Sequence, residues 1–138
     1  MPSKNQVSGK VLLIEDNAES LTILLELLED EGFQVIGARN GLIGLHLTIE
    51  HSPDVIVSDI NMPQMNGYGV LYALRRNPKT AIIPIILITG ETTDSERKLS
   101  LELGANDFLT KPVVPKDFIQ AIALQLKQNP CKLNPSSC

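Results

Sequence analysis

The sequence predicts an α/β domain in which a parallel sheet is covered by helices on both faces. Five short apolar runs alternate along the chain with five segments that fit a helical period. The apolar runs lack polar alternation, which is typical of strands buried on both faces. Glycine, asparagine and proline residues separate the runs. We therefore expect five parallel strands joined by right-handed helical crossovers.

The first half of the chain contains three predicted strands and two predicted helices. Asn17 is the expected cap of the first helix, which Gly32 ends. A second, weaker helix is expected from about Leu42 to His51. The predicted strands lie at 11–14, 33–38 and 55–58.

The second half contains two predicted strands and three predicted helices. A helix is expected from Gly67 to Asn77, where a proline follows. The next runs from Thr93 to Leu103, with Leu99 and Leu103 on one face, and the last begins near Pro115. The predicted strands lie at 82–89 and 107–110.

Composition limits the class of protein. The 138 residues fit one domain, and 43% are hydrophobic, which is enough for a core. The formal net charge is −4 and no basic run is long enough to follow nucleic-acid phosphates, so direct nucleic-acid binding is not expected. The sequence shows neither the apolar segment of a signal peptide nor a run that could span a bilayer, so we expect a cytoplasmic protein without membrane contact. Cys131 and Cys138 have no histidine nearby, so zinc binding is not expected.

The two ends of the chain have no apolar period. We expect residues 1–9 to form a flexible leader, 10–128 the folded domain and 129–138 a flexible tail. His46 and His51, on or after the second helix, are expected at the surface.

Charged and polar side chains follow four of the five predicted strands. Glu15 and Asp16 follow the first strand, Asp59 the third, Thr89 ends the fourth, and Lys111 follows the fifth. In open parallel sheets, ligands bind at the carboxyl ends of the strands, where the strand order reverses. With strand order 2-1-3-4-5, the first and third strands are neighbours, so the three carboxylates should lie together. Each residue alone has an ordinary structural explanation, and the prediction depends on all of them meeting at one edge.

Three close carboxylates repel one another, and a divalent cation would relieve the repulsion. Oxygen donors favour Mg²⁺ or Mn²⁺ over Zn²⁺. We expect Asp16 and Asp59 to bind the ion directly, Glu15 to bind it directly or through water, and a carbonyl near Asn61 to complete the set. A metal beside a carboxylate is also an arrangement for phosphoryl transfer.

In that chemistry Asp59 acts as the nucleophile and becomes an acyl phosphate. Lys111 would neutralise the phosphoryl oxygens together with the metal, and Thr89 would offer a hydroxyl group.

These residues resemble the motifs of the response regulator receiver domains of two-component signalling. The resemblance covers roughly Lys10 to Gln128 and implies a flavodoxin-like fold. No single motif is specific, but together and in order they are. The motifs are Glu15-Asp16, Asp59-Ile60-Asn61-Met62-Pro63 with Gly67, Thr89-Gly90, Gly104-Ala105, and Lys111-Pro112 after Phe108.

The resemblance implies a role for each matching residue. Asp59 is similar to the phosphoacceptor, and Lys111 to the lysine that pairs with the phosphate. Thr89 resembles the switch hydroxyl and Phe108 the switch aromatic. The implied metal ligands are Glu15, Asp16, Asp59 and the carbonyl of Asn61.

Three features of these motifs add detail to the resemblance. Glu15 stands where the family often has Asp, and Phe108 where Tyr is common. A buried core residue is the alternative interpretation of Phe108. The Lys111–Pro112 bond is expected to be cis, as is usual in the family.

The implied function is that of a single-domain response regulator. It would accept a phosphoryl group from a histidine kinase or phosphotransfer protein, and would catalyse only its own phosphorylation and dephosphorylation. Output would pass to a downstream protein target, and a homodimer through the last two helices is compatible with the sequence. The surface expected to contact the target includes Arg97, Lys98, Lys116 and Gln120.

Three alternatives stay open at this point. One is a receiver-like binding module that is not phosphorylated, although such domains usually lose an acid, the acceptor or the lysine. Another is a receiver fragment of a hybrid kinase or longer regulator. The third is a phosphatase of the haloacid dehalogenase type, which would need a nucleophile on the first strand and an acid where this chain has Asn61.

Overall fold

The computed structural model describes residues 9–90 and 93–127. In these residues five strands alternate with five helices, which confirms the predicted fold class. The strands are β1 (Lys10–Ile14), β2 (Gln34–Ala38), β3 (Val55–Asp59), β4 (Ile85–Thr89) and β5 (Asp107–Thr110). The helices are α1 (Ala18–Asp30), α2 (Gly41–His51), α3 (Gly67–Arg76), α4 (Asp94–Glu102) and α5 (Pro115–Lys127). The predicted leader and tail, with Cys131 and Cys138, lie outside the described residues apart from Gly9.

All five strands are parallel and form one sheet in the order β2-β1-β3-β4-β5. Ile14, the last residue of β1, lies opposite Ala38 of β2 and Ser58 of β3. The strand order reverses between β1 and β3, so the segments that follow these two strands emerge side by side.

The sheet separates two apolar cores because successive side chains of a strand point to opposite faces. Leu12 and Ile14 of β1 pack on one face, with residues of α3 such as Leu71. Val11 and Leu13 pack on the other face, with residues of α1 and α5. This burial on both faces explains why the strands read as continuous apolar runs.

Short polar side chains fix where the helices begin. Asn17, Asn40, Asn66 and Thr93 each accept a hydrogen bond from the backbone N–H three residues later. The predicted cap of α1 is therefore confirmed. Past the other end of α1, Gly32 has a φ of 94°, a left-handed conformation that favours glycine.

The predicted start of β4 was wrong by three residues. The strand begins at Ile85 rather than Ile82 because the preceding residues form a turn, in which the Ile83 N–H donates to the Thr80 carbonyl at 3.1 Å. Pro84 has no N–H to contribute to a strand ladder, although its carbonyl accepts from Ile56 at 2.9 Å.

Helix α4 does not bury the leucine face that the sequence suggests. Leu99 and Leu103 are 43% and 46% exposed, whereas Ser100 is fully buried. The Ser100 hydroxyl donates to Tyr68 Oη at 3.4 Å, and Tyr68 in turn donates to Glu96. Polar side chains thus connect α3 to α4 here, and hydrophobic spacing could not reveal these contacts.

Candidate functional site

The predicted site residues meet at the carboxyl edge of the sheet. Glu15 directly follows β1 and Asp59 ends β3, and the two residues are only 2% and 3% exposed. Lys111 directly follows β5, and its backbone N–H donates to the Thr89 carbonyl at 2.8 Å. Asp16 lies in the short loop between β1 and α1 and is partly exposed.

Lys111 connects two of the acidic residues. Its Nζ lies 2.8 Å from Asp59 Oδ2 and 3.2 Å from Glu15 Oε1. The carboxylate side chains are almost fully buried, whereas the lysine side chain is 39% exposed. The ammonium group therefore closes the solvent side of the acid pair. Hydrogen bonds between ionised groups are short and strong, which suits this geometry.

The three acids form a cluster that suits a hard cation. Glu15, Asp16 and Asp59 each offer a carboxylate oxygen, and these oxygens all lie within 4.8 Å of one another. The Asn61 N–H donates to Asp59 Oδ1 at 3.3 Å, so the backbone of Asn61 lies next to the cluster. Oxygen donors of this kind fit Mg²⁺, which binds through one or two carboxylates and keeps several waters. The acidic cluster is thus compatible with a Mg²⁺ site.

The electrostatics of the cluster affect Glu15 and Lys111 in related ways. Burial raises the pKa of Glu15, and the neighbouring Asp59 raises it further, against the opposing effects of the Asn17 N–H and Lys111. Burial by itself lowers the pKa of Lys111, but the hydrogen bond and charge of Asp59, together with Glu15, outweigh burial and raise it. The clustered carboxylates therefore favour a positive charge beside them. In this structure the Lys111 ammonium group is that charge.

Thr89 and Phe108 have different surroundings. Thr89 is 1% exposed, and its Oγ1 accepts a hydrogen bond from Asn61 Nδ2 at 3.4 Å. Phe108 is 4% exposed and belongs to the core that includes Leu71. In this state the aromatic ring is a core residue.

Gly67 allows the backbone to approach the site closely. Its N–H donates to the Ile60 carbonyl at 2.9 Å. A Cβ atom at this position would lie 2.7 Å from the Asp59 carbonyl oxygen and 2.9 Å from the Ile60 Cα. A residue with a side chain would therefore displace the backbone beside Asp59.

A shallow groove of about 240 Å³ lies beside the acid pair. Its lining includes Ile23 and Leu24 of α1, Pro112 and Val113 after β5, and Lys111 itself. The Lys111–Pro112 bond in this loop is cis, as expected. An apolar surface is thus continuous with the charged site.

Sequence reasoning missed Arg39, which follows β2. Its guanidinium donates to the Asp16 carbonyl from Nε at 3.3 Å and from Nη2 at 3.0 Å. No sequence motif around Arg39 predicts this contact. The histidines are at the surface, as predicted: the His46 and His51 side chains are 77% and 40% exposed.

Across residues 9–90 and 93–127, no helix combines the length and the apolar character needed to span a membrane.

The fold and the site together define a flavodoxin-like α/β domain with an acidic cluster at its switch point. Residues 11–123 match the family model described as the response regulator receiver domain, and the chain belongs to this family. Receiver domains are phosphoacceptor signalling modules of two-component systems rather than classical enzymes.

Individual relatives agree with this assignment. The chain is 33% identical over 114 residues to the protein PilH of Pseudomonas aeruginosa, covering 83% of this chain and 94% of PilH. It is 39% identical over 121 residues to the transcriptional regulatory protein CpxR of Escherichia coli, covering 88% of this chain and 50% of CpxR. This chain thus spans about half the length of CpxR. The solved structure of the chemotaxis protein CheY4 of Vibrio cholerae superimposes with a TM-score of 0.82 at 29% identity, covering 87% of this chain and 100% of CheY4.

Proposed function

We propose that this protein accepts a phosphoryl group on Asp59 from a phosphohistidine of a histidine kinase or phosphotransfer protein, in the cytoplasm. One observation carries the proposal. The Lys111 ammonium lies 2.8 Å from the Asp59 carboxylate, within an acidic cluster at the switch point of the sheet. This arrangement places a nucleophile beside a positive charge that can compensate the incoming phosphoryl group.

The transfer step needs a free oxygen lone pair on Asp59. A carboxylate oxygen attacks the phosphorus, the new P–O bond forms as the P–N bond to the donor histidine breaks, and the electron pair of that bond stays on the imidazole. The Asn61 N–H and Lys111 Nζ bind different oxygens of Asp59, which holds the carboxylate in one orientation. Lys111 then pairs with the phosphoryl oxygens.

Mg²⁺ fits this proposal as the cofactor, with Mn²⁺ as a substitute. The residues that would hold it are Glu15, Asp16, Asp59 and the carbonyl of Asn61. When bound, the ion would supply positive charge that offsets the oxygens of the transferred group.

The groove beside the site offers a place for the donor protein to dock. Ile23 on α1 is 59% exposed and lies in the same lining as Lys111. A donor helix that covers Ile23 and Val113 would bring its phosphohistidine next to the acid pair. Apolar contact of this kind would supply affinity without changing the chemistry at Asp59.

We further propose that phosphorylation is communicated through Thr89 and Phe108. The Thr89 hydroxyl now bonded by Asn61 would turn to the phosphoryl group, and the Phe108 ring would repack in response. Phe108 has no hydroxyl group, so its part in the switch is limited to packing. The change would bias α4, β5 and α5, whose exposed residues are the proposed contact with a protein target. These residues are Arg97, Lys98, Lys116 and Gln120.

For the extent of the protein we propose a single-domain regulator with its receiver domain at residues 10–128. The mutual coverage with PilH supports this proposal, because the aligned region takes in 94% of that protein. The half-length match to CpxR supports the alternative of a receiver from a longer regulator. A homodimer through α4 and α5 stays a prediction.

The test is the intact mass of the protein after incubation with acetyl phosphate, with and without Mg²⁺. We expect wild type to gain one phosphoryl group only with Mg²⁺, and Asp59→Asn to gain none. Asp54→Asn is the matched control, because Asp54 immediately precedes the strand that Asp59 ends. The adduct should disappear on treatment with hydroxylamine, which cleaves acyl phosphates.

Two outcomes would count against the proposal. An adduct that persists in Asp59→Asn would place the acceptor elsewhere. A folded, Mg²⁺-binding wild type that is labelled neither by acetyl phosphate nor by a kinase would favour a binding module that does not use phosphorylation.

A further inference from the structure

We infer that Arg39 is a positioning residue that holds the β1–α1 loop in the shape that binds a divalent cation. The inference rests on the metal site of the proposed function. It concerns an exposed side chain that follows β2 and that, among the described residues, is hydrogen-bonded to none of the proposed ligand atoms.

Two nitrogens of the Arg39 guanidinium donate to the same carbonyl oxygen. Arg39 donates from Nε at 3.3 Å and from Nη2 at 3.0 Å to the backbone carbonyl of Asp16. The planar guanidinium presents these two donors at a fixed angle, so the pair restrains the orientation of the carbonyl as well as its distance.

Arg39 itself is held firmly at both sides. The preceding Ala38 is paired with Ile14 in the sheet, and its carbonyl accepts from the Glu15 N–H at 3.0 Å. The following Asn40 caps α2 by accepting from the Ile43 N–H at 2.8 Å. The arginine therefore links a rigid part of the fold to the loop.

The other bonds of the loop involve the neighbours of Asp16. The Asn17 N–H donates to Glu15 Oε2 at 3.2 Å, and Asn17 Oδ1 accepts from the Ser20 N–H at 2.9 Å. Arg39 adds the restraint on Asp16 itself. Within the part of the chain that the structure describes, Arg39 forms no ion pair with the three acids, so the Asp16 carboxylate is left for a cation.

Position and charge act in opposite directions here, and this makes the inference testable. A positive charge close to the cluster weakens the binding of a cation by repulsion. A restraint that holds Asp16 in the bound geometry strengthens binding, because less conformational freedom is lost when the ion arrives. If positioning dominates, neutralising Arg39 weakens Mg²⁺ binding rather than strengthening it.

The experiment is a calorimetric titration of the full chain with Mg²⁺, without any phosphodonor. We expect R39Q and R39K both to raise the Kd for Mg²⁺ about three- to tenfold, the range for loss of one ordinary hydrogen-bond contact. R76Q is the matched control, since Arg76 is an exposed arginine at the end of α3 and the substitution removes the same charge. Its Kd should stay within about twofold of wild type.

A second measurement separates positioning from general destabilisation. In Mg²⁺-free protein, the amide proton of Asn17 should exchange faster in R39K than in wild type, with the urea midpoint unchanged. The inference is overturned if the Kd of R39Q for Mg²⁺ is the same as that of wild type or lower. It is also overturned if the substitution lowers the urea midpoint so far that general destabilisation explains the weaker binding.

The outcome is distinguishable from failure of the proposed function. Normal Mg²⁺ binding with no phosphorylation of wild type contradicts only the phosphoacceptor proposal. A wild type that binds no Mg²⁺ overturns the metal site, and the role of Arg39 with it.

Discussion

Two cationic side chains lie at opposite edges of the sheet, one where the strands end and one where they begin. One has charged hydrogen-bond partners and the other has neutral ones. Lys111, after β5, bonds the carboxylates of Asp59 and Glu15. Among the residues that the structure describes, Arg75, in the last turn of α3, bonds only neutral oxygens near the starts of β4 and β5. These are the carbonyl of Ile83 at 2.8 Å, the carbonyl of Gly104 at 3.0 Å and Asn106 Oδ1 at 2.8 Å.

The difference shows that Arg75 has a structural role, whereas Lys111 takes part in the charge balance of the acidic site. Arg75 joins the end of α3 to the segments that precede two strands, and Asn106 Oδ1 also accepts from the Ile85 N–H at 3.0 Å. Burial lowers the pKa of Arg75, yet no anion is needed because carbonyl dipoles solvate the guanidinium. Lys111 instead balances charges that a metal ion or phosphoryl group can also balance. Its contacts can therefore change with the state of the site.

The largest effect that would test this contrast is expected for Arg75→Met. The substitution keeps the aliphatic stem but removes the donor to the Ile83 and Gly104 carbonyls and one of the two donors to Asn106 Oδ1. We therefore expect a loss of about 2–4 kcal/mol in the free energy of unfolding. Urea denaturation measures it. Because Arg75 is remote from the acids, added Mg²⁺ should not change the loss.

Arg76→Met is the control for this variant, since Arg76 is exposed and contacts only the ring and hydroxyl of Tyr72 among the described residues. It should lower stability by about 1 kcal/mol or less. If the two variants are equally stable, the network around Arg75 does not have the structural role described.

A smaller effect, and one that depends on ligand, is expected for Lys111→Met. Without the ammonium group, Glu15 and Asp59 repel each other in a buried setting. We expect a loss of about 1–2 kcal/mol at neutral pH without metal, less than for a fully buried pair because the lysine is 39% exposed. Mg²⁺ should restore much of this loss in urea denaturation. A loss that is the same with and without Mg²⁺ would show that packing, rather than charge, explains the effect.

The smallest effect is a change in pH dependence on Glu15→Gln. The pKa of Glu15 is raised in the folded state, so the folded protein binds this proton more readily than the unfolded chain does. Ionised Glu15 therefore destabilises the fold at neutral pH, and this penalty disappears as the pH falls through the raised pKa toward the usual range of a glutamate.

Consequently, Glu15→Gln should be more stable than wild type at neutral pH without metal, and the difference should shrink as the pH is lowered. Urea denaturation from neutral to mildly acidic pH measures this difference. Glu26→Gln, on the exposed side of α1, controls for the loss of a surface carboxylate. A stability difference that grows on acidification would contradict the sign.

Much of the fold could be predicted because its strands are buried on both faces and separated by residues that break regular structure. The meeting of Glu15, Asp59 and Lys111 followed from topology, since parallel strands deliver their carboxyl ends to one edge. The contacts of Arg39 and Arg75 could not be predicted in the same way. They join side chains to backbone oxygens 23 and 29 positions away, where no periodicity applies. The start of β4 and the burial of Ser100 were missed for a related reason, as both depend on local hydrogen bonds rather than on hydrophobicity.

The way α4 is attached has a consequence for how the molecule fluctuates. The helix buries a serine, leaves Leu99 and Leu103 half exposed, and bonds Tyr68 through Glu96 and Ser100. Little apolar surface is exposed when such a helix detaches, so its local unfolding requires much less free energy than opening the sheet. We therefore expect the amide hydrogens of α4 to exchange through local opening of the helix, and those of β1 and β3 to exchange only on global unfolding.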